Sequence, residues 1–181
     1  MKVAITGHTG RLGSALFKRF SDYEVHGFSR SNGYDISDYS KIIEDCKDCN
    51  VFINNAHYKT YQVDLLYALF ELWKKEHKTI INISSISSFF YYQKKNDGYC
   101  FKSPLLGDIS SVDRSVESYF IQKFCLDVAV HELAQQKENC KVMNIRPGMI
   151  HDQKIPADKL ADHIHNLVTS GLNILESTIM K

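Results

Sequence analysis

No apolar run in the 181-residue chain approaches the roughly 20 residues that a membrane-spanning helix needs. Nor does the start read as a signal peptide: MKVAITGHTG reaches glycine early and reads as a strand beginning at residue 2. An excess of one charge is missing too. Lys and Arg total 22 against 21 Asp and Glu, a formal net charge of +1, which excludes a nucleic-acid binder working through general electrostatics. Cysteines are few and odd in number: Cys46, Cys49, Cys100, Cys125 and Cys140. Cys46-Lys47-Asp48-Cys49 is a C-x-x-C, but no second ligand pair stands at zinc spacing and the motif falls at the end of a predicted helix, so no metal site is expected. Reduced thiols and a cytoplasmic location are the expectation. The histidines are scattered, and His163 and His165, two apart, point to different sides of a helix. Repeats, proline-rich linkers and low-complexity runs are absent, so residues 1–181 read as one domain, long enough for a sizeable core and too short for a second.

What is present is ordinary globular composition, 44% hydrophobic and 24% charged, arranged as alternating strands and helices. Strands are predicted at Lys2–Thr6, Val25–Phe28, briefly at Tyr34–Ile36, then at Val51–Asn54, Thr79–Ile83, Lys141–Ile145 and Leu172–Leu175. Helices are predicted over 10–21, 39–48, 61–76, 115–138 and from Pro156 to Ser170, with an irregular insertion at about 86–113. Such alternation implies an α/β domain: a doubly wound parallel sheet of about seven strands with helices on both faces.

The loop Thr6-Gly7-His8-Thr9-Gly10-Arg11-Leu12-Gly13 lies between the first strand and the first helix. Glycines there allow a tight turn and close approach to a pyrophosphate, and the helix N-terminus offers unpaired N–H groups and partial positive charge. A nicotinamide dinucleotide is the expected cofactor. Discrimination between NAD and NADP rests on the end of the second strand, where an acidic residue would repel a 2′-phosphate. This chain has Ser29-Arg30 instead, with Arg11 as a second cation, and NADP is favoured over NAD.

Tyr119 and Lys123 stand four apart on the helix predicted at 115–138, hence on one face. A phenol is a poor base at neutral pH, and a lysine one turn away is expected to lower its pKa. That pair is the expected general acid/base.

The ordered set TGHTGRLG, Asp35, Asn54-Asn55-Ala56, Asn82-Ile83-Ser84-Ser85, Tyr119/Lys123 and Arg146-Pro147-Gly148 resembles the short-chain dehydrogenase/reductase family over nearly the whole chain. The resemblance implies a single-domain Rossmann fold and an NADP-dependent oxidoreductase moving a hydride between cofactor and a carbonyl or alcohol. It makes Ser85 the catalytic serine, with Ser84 the adjacent alternative, beside Tyr119 and Lys123. It puts Asp35 and Ile36 against the adenine, Asn55 and Ala56 beside the ribose, and Pro147, Gly148 and Ile150 beside the nicotinamide. Lys123 would also hold the nicotinamide ribose.

The chain also departs from the family pattern. No helix fits between the second and third strands, which resembles the abbreviated start of the dTDP-4-dehydrorhamnose reductase type. Ser85 and Tyr119 are 34 positions apart, longer than usual, and only eight residues, His151 to Asp158, precede the clear part of the last helix. The family's fourth residue, an asparagine, has no evident match, and Asp64 is the nearest candidate. Aromatic residues of the insertion (Phe89, Phe90, Tyr91, Tyr92, Tyr99, Phe101) either line a substrate pocket or pack the insertion onto the sheet. The resemblance further implies a small-molecule substrate and a homodimer through the helices at 61–76 and 115–138. Tyr67, Leu69, Phe70 and Trp73 on one and Phe120, Phe124, Leu126 and Val130 on the other are more apolar residues than one face of the sheet can cover, and either form that interface or are all intramolecular core. A non-catalytic NADP-binding sensor and a sugar-nucleotide epimerase are the alternative functions.

Overall fold

The computed structural model describes residues 1–89, 91–95, 98–103, 107–109, 114–171 and 174–180, with side chains described for 1–89, 118–171 and 174–180. The strands are β1 (Lys2–Thr6), β2 (Glu24–Phe28), β3 (Val51–Asn54), β4 (Thr79–Ile83), β5 (Tyr91–Lys95), β6 (Gly98–Ser103), β7 (Gly107–Ile109), β8 (Lys141–Pro147) and β9 (Glu176–Ile179). The helices are α1 (Arg11–Arg19), α2 (Ser40–Cys46), α3 (Tyr61–Trp73), α4 (Arg114–Gln135) and α5 (Ala157–Thr169). Six strands form one parallel sheet in the order β2-β1-β3-β4-β8-β9.

Strand residues alternate between the two faces, and each face has its own helix layer. Ala4, Phe52, Ile80 and Val142 point toward α2, α3 and α4, against Ile42, Leu66, Phe70, Trp73, Leu126 and Val130. Val3, Ile5, Ile53, Ile81 and Met143 point the other way, against Leu12, Leu16 and Phe20 from the α1 side and Leu160 and Ile164 from α5. The inner strands are covered on both sides, which is why β3 and β4 read as continuous apolar runs. The chain steps from β1 outward to β2, then back across β1 to β3. Strand order reverses there, and a crevice opens beyond the C-terminal ends of β1 and β3.

Three expectations need correction. Tyr34–Ile36 forms no strand: Asp35 and Asp38 make an isolated antiparallel bridge, because the Asp35 carboxylate turns the backbone by accepting the Ser37 N–H at 2.9 Å and hydroxyl at 2.8 Å. The main sheet therefore has six strands, not about seven. Of the strand expected at Leu172–Leu175, residues 172 and 173 lie outside the described residues and 174 and 175 are not strand. The last strand is Glu176–Ile179, its first residue in register with Asn144, where the Glu176 carboxylate reaches Arg146 and His131. The insertion is not wholly irregular, since β5, β6 and β7 pair as a small antiparallel sheet.

The apolar residues chosen for a dimer interface are mostly interior. Leu69, Phe70, Trp73, Phe120, Leu126 and Val130 are buried within the chain, and Phe124 is exposed. Alpha-helical spacing alone did not distinguish the face of α4 that meets the sheet from the face bearing Ile121, Phe124 and Val128. Among the described residues no helix is long and apolar enough to cross a membrane, and no group of side chains could hold a metal ion. Cys46, Cys49 and Cys140 are buried thiols, the first and last pushed up to about 12 by burial.

Candidate active site

The loop between β1 and α1 is built on close approach. Gly7 takes a φ of +66°, its N–H donates to Phe28 O at 2.7 Å, and Gly10 N–H donates to Gly7 O at 3.0 Å. A Cβ on Gly13 would lie 2.0 Å from Gly7 O, so only glycine lets α1 start this close to the turn. The loop after β3 is tied to it: Thr6 Oγ1 accepts the N–H groups of Asn55 and Ala56, each at 2.9 Å, and Asn55 Nδ2 donates to Thr6 O at 3.0 Å. The first turn of α1 carries no acidic residue, so its free N–H groups face the crevice without a competing anion.

A cavity of about 670 Å³ leads away from this loop along the end of β2. Gly7, Thr9, Gly10, Ser29, Arg30, Asp35, Ile36, Asn55 and Ala56, all expected at a cofactor, line it together. Arg30 opens a 3₁₀ turn capped by the Asn32 side chain, whose Oδ1 accepts the Ser29 N–H at 2.9 Å. Arg30 is exposed and makes no ion pair among the described residues, and Asp35 is held below the usual carboxylate range first by the N–H and hydroxyl of Ser37, with the Arg30 charge assisting. Ser29 Oγ is committed to Ser31 Oγ at 2.7 Å. The remaining loop residues do not join this cavity. Leu12 and Gly13 are buried at the start of α1, and Arg11 reaches the other way, donating to Ile150 O at 3.0 Å. Arg11 is thus not a second cation beside Arg30.

A second cleft, of about 860 Å³, lies over the ends of β4 and β8 and shares Asn55 and His57 with the first. Ser84, Ser85, Tyr119, Lys123, Pro147, Gly148 and Ile150 line it. Ser85 and Tyr119 are neighbours in this lining. Ser84 does not compete for this role, because its hydroxyl donates to Asp127 Oδ1 at 2.6 Å. One turn along α4 from Tyr119, the Lys123 Nζ lies 5.6 Å from the Tyr119 ring centre.

The electrostatics differ from expectation. Burial pushes the Tyr119 phenol above its ordinary value, and the neighbouring Ser85 hydroxyl only partly offsets this. Lys123 does not lower it. The lysine is itself buried, which brings it down to about 7 against the pull of Asp127, and its Nζ is drawn toward Gln62 Oε1 and Ile83 O, both at 2.8 Å. An i, i+4 spacing put the two residues on one face but could not reveal these competing acceptors.

Three residues of the site were not singled out in the sequence. Gln62, near the start of α3, meets Lys123, whereas Asp64 accepts from Thr60 Oγ1 at 3.4 Å and does not reach it. His57 packs edge-to-face on Tyr119 at 4.9 Å; although open to the cleft, it is desolvated enough, with the Lys123 charge adding, to titrate near 4. Asp127, one turn beyond Lys123, was the legible one, since Tyr119, Lys123 and Asp127 repeat every four residues. Its carboxylate gathers Ser84, Asn144 Nδ2 at 2.6 Å and Arg146 Nε at 2.6 Å. Arg146 continues to Glu176 and stacks 4.9 Å over Phe89. Phe89 is thus a packing residue; the side chains of Phe90, Tyr91, Tyr92, Tyr99 and Phe101 lie outside the described residues.

Solved structures share this architecture from end to end. Serine dehydrogenase from Escherichia coli superposes with a TM-score of 0.73 at 15% identity, covering 100% of this chain and 98% of the other. This is the short-chain dehydrogenase/reductase fold. An alcohol dehydrogenase from the archaeon Thermococcus sibiricus, complexed with 5-hydroxy-NADP, has a TM-score of 0.67 at 14% identity, over 99% of this chain and 96% of that one. A short chain dehydrogenase from Leptospira borgpetersenii, with bound NAD+, has a TM-score of 0.66 at 16% identity, over 99% and 91%. No protein-family model and no curated protein sequence matches the chain.

Proposed function

We propose that the protein is an NADP-dependent oxidoreductase acting on a carbonyl or alcohol. The observation that carries this is the continuity of two cavities: the one on the glycine loop ends at Asn55 and His57, where the cleft holding Ser85, Tyr119 and Lys123 begins. A dinucleotide fits that path. The free N–H groups at the start of α1 suit a pyrophosphate, and Arg30 suits a 2′-phosphate. Neighbours in the same fold bind NADP or NAD, so the choice of NADP rests on Arg30.

The bound cofactor supplies the hydride. Ser85 and Tyr119 then hold the substrate oxygen from one side. As negative charge grows on that oxygen, both hydroxyls donate to it, a stabilisation realised mainly in the transition state. Tyr119, kept a neutral phenol by burial, gives up its proton, and this suits reduction of a carbonyl at neutral pH. Ile86, Met149, Ile155 and Met180 make the outer cleft apolar.

Titration of the purified protein with NADPH and NADH, followed by NADPH consumption over a panel of carbonyl compounds, tests the reading. NADPH binding at least tenfold tighter than NADH, with turnover of some carbonyl, is expected; no binding of either refutes it. The raised Tyr119 pKa favours one second reading, an NADP(H)-binding sensor, which would show binding and no turnover.

A further inference from the structure

Gln62 is 2% exposed, yet it is a large polar side chain at the start of a helix whose other inward residues are leucine and aromatic. Leucine would fill the same volume without desolvating an amide. The hydrogen bonds show what the amide does. Gln62 Nε2 donates to Asn54 O at 2.7 Å and to Ile83 O at 3.1 Å, while Asn54 Nδ2 donates back to the Gln62 carbonyl at 2.9 Å. With both of its N–H bonds used by strand ends, the amide cannot turn, and Oε1 is fixed toward α4. There it accepts from Lys123 Nζ at 2.8 Å, and the same nitrogen donates to Ile83 O at 2.8 Å.

An ammonium has three donors. Two are held on the floor of the cleft, and among the described residues the third has no partner and remains for what enters it. We propose that Gln62 is a positioning residue: its neutral amide oxygen fixes the Lys123 nitrogen at the cleft floor, aims the remaining donor into the cleft, and holds that nitrogen in both of its protonation states. The proposal rests on the dehydrogenase reading only in taking the third donor's partner to be a cofactor ribose hydroxyl.

The neutrality of the acceptor is the point. A carboxylate here would form a nearly dry ion pair and lock the lysine charged. An amide oxygen accepts from an ammonium and from an amine, favouring the ammonium only by the margin of one charge-assisted bond and without an ion pair to lock it. The other groups facing Lys123 leave it this freedom. On its own helix, Tyr119 is a neutral phenol, and the Asp127 carboxylate is shared among Ser84, Asn144 and Arg146. From the loop after β3, His57 lines the same cleft and stays neutral above about 4. Lys154 also lines the cleft and adds positive charge, and Asp64 on α3 is turned to Thr60. Burial prevails, with Lys123 near 7.

The experiment follows the lysine directly and needs no substrate. Protein carrying 15N-labelled lysine is titrated by NMR between about pH 5 and 11, a range spanning shifted and free lysines, with Lys123→Met to assign the signal. In the wild type the Lys123 midpoint should lie well below those of the other lysines. The isosteric Gln62→Glu should raise it by about one pH unit or more, as a new opposite charge in contact does, leaving Lys154 unmoved. Gln62→Met, which removes the acceptor, should lower it further and serves if the glutamate variant does not fold. An unchanged Lys123 midpoint in the folded variant overturns the proposal. NADPH titration is the second readout, expected to weaken about tenfold in Gln62→Met, the loss of one charged hydrogen bond. Failure of the wild type to bind NADPH would overturn the cofactor reading and its ribose clause, while the lysine titration would still decide what Gln62 does.

Discussion

Arg11 donates to the carbonyl of Ile150 at 3.0 Å, joining the glycine loop to the segment that follows β8. The guanidinium spans the gap between the two loops instead of facing the end of β2, and Arg30 stands alone there among the described residues. The two arginines should therefore behave differently. Arg30→Ala should weaken NADPH by about ten- to a hundredfold and NADH little, the loss of charge-assisted bonds of roughly 1.5–3 kcal/mol. Arg11→Ala should weaken both cofactors alike. Fluorescence titrations decide it, and an Arg11→Ala effect as selective as that of Arg30→Ala would remove the distinction.

Tyr119→Phe removes the proton donor while keeping the ring against His57. Turnover should fall by roughly a hundredfold or more, the usual contribution of a general acid, with NADPH affinity within about twofold of wild type. Because burial raises the phenol, alcohol oxidation, which needs the phenolate, should climb with pH well above neutrality. Steady-state rates in both directions across pH test this, and an oxidation rate level through the alkaline range would contradict it.

Burial of Lys123 has a signature in stability. Its pKa in the folded chain is brought down to about 7, whereas an unfolded lysine titrates near 10.4. Between those values the unfolded chain binds a proton that the folded chain does not, so wild-type stability rises with pH across that interval. Lys123→Met lacks the group and should lack the rise. Relative to wild type the variant should be at its best near pH 6 and lose ground toward pH 9. Urea midpoints measured at three pH values provide the check; parallel curves would show that the lysine is not so perturbed.

Asp127 is buried together with Arg146, at 6% and 4% exposure. Removing one partner of such a pair costs roughly 3–5 kcal/mol, and here Arg146 keeps Glu176, so Asp127→Asn belongs at the lower end. A fall in melting temperature of about 10 °C is expected for a domain of this size. Glu176→Gln, nearer the surface, should cost less. Equal losses from the two would indicate that the interior pair carries no special weight.

The sheet and its helices were legible because buried strands and amphipathic helices leave opposite periodicities, as Val51–Asn54 and Ala157–Thr169 do. The glycine loop was legible because a tight turn and a close helix start need that residue type at fixed points in the chain, as at Gly7 and Gly13. What escaped depended on choices among polar partners. Asp64 and Gln62 are two apart and equally able to accept from a lysine, and only the start of α3 against Asn54 decides for Gln62. Asp35 sits in a run that reads as strand until Ser37 captures its carboxylate. Ser84 and Ser85 are equivalent as letters, and Asp127, forty-odd residues away, separates them. β5 carries its aromatic and charged residues in blocks, without the two-residue alternation by which a half-buried strand is recognised, and in β6 only Tyr99 and Phe101 alternate, too short a run to stand out.

The turn at Asp35 has an outcome on the far rim of the sheet. With no strand outside it among the described residues, β2 is left with one row of backbone groups unmatched, the kind of rim on which chains adhere to one another. Two features blunt it. Asn32 folds back so that its Nδ2 donates to Gly27 O at 2.8 Å, stoppering the strand's end, and the polar pair Glu24 and His26, 3.0 Å apart, keeps the outer half wet. A chain whose sheet ends at β2 among the described residues thus guards this rim against self-association with three polar side chains.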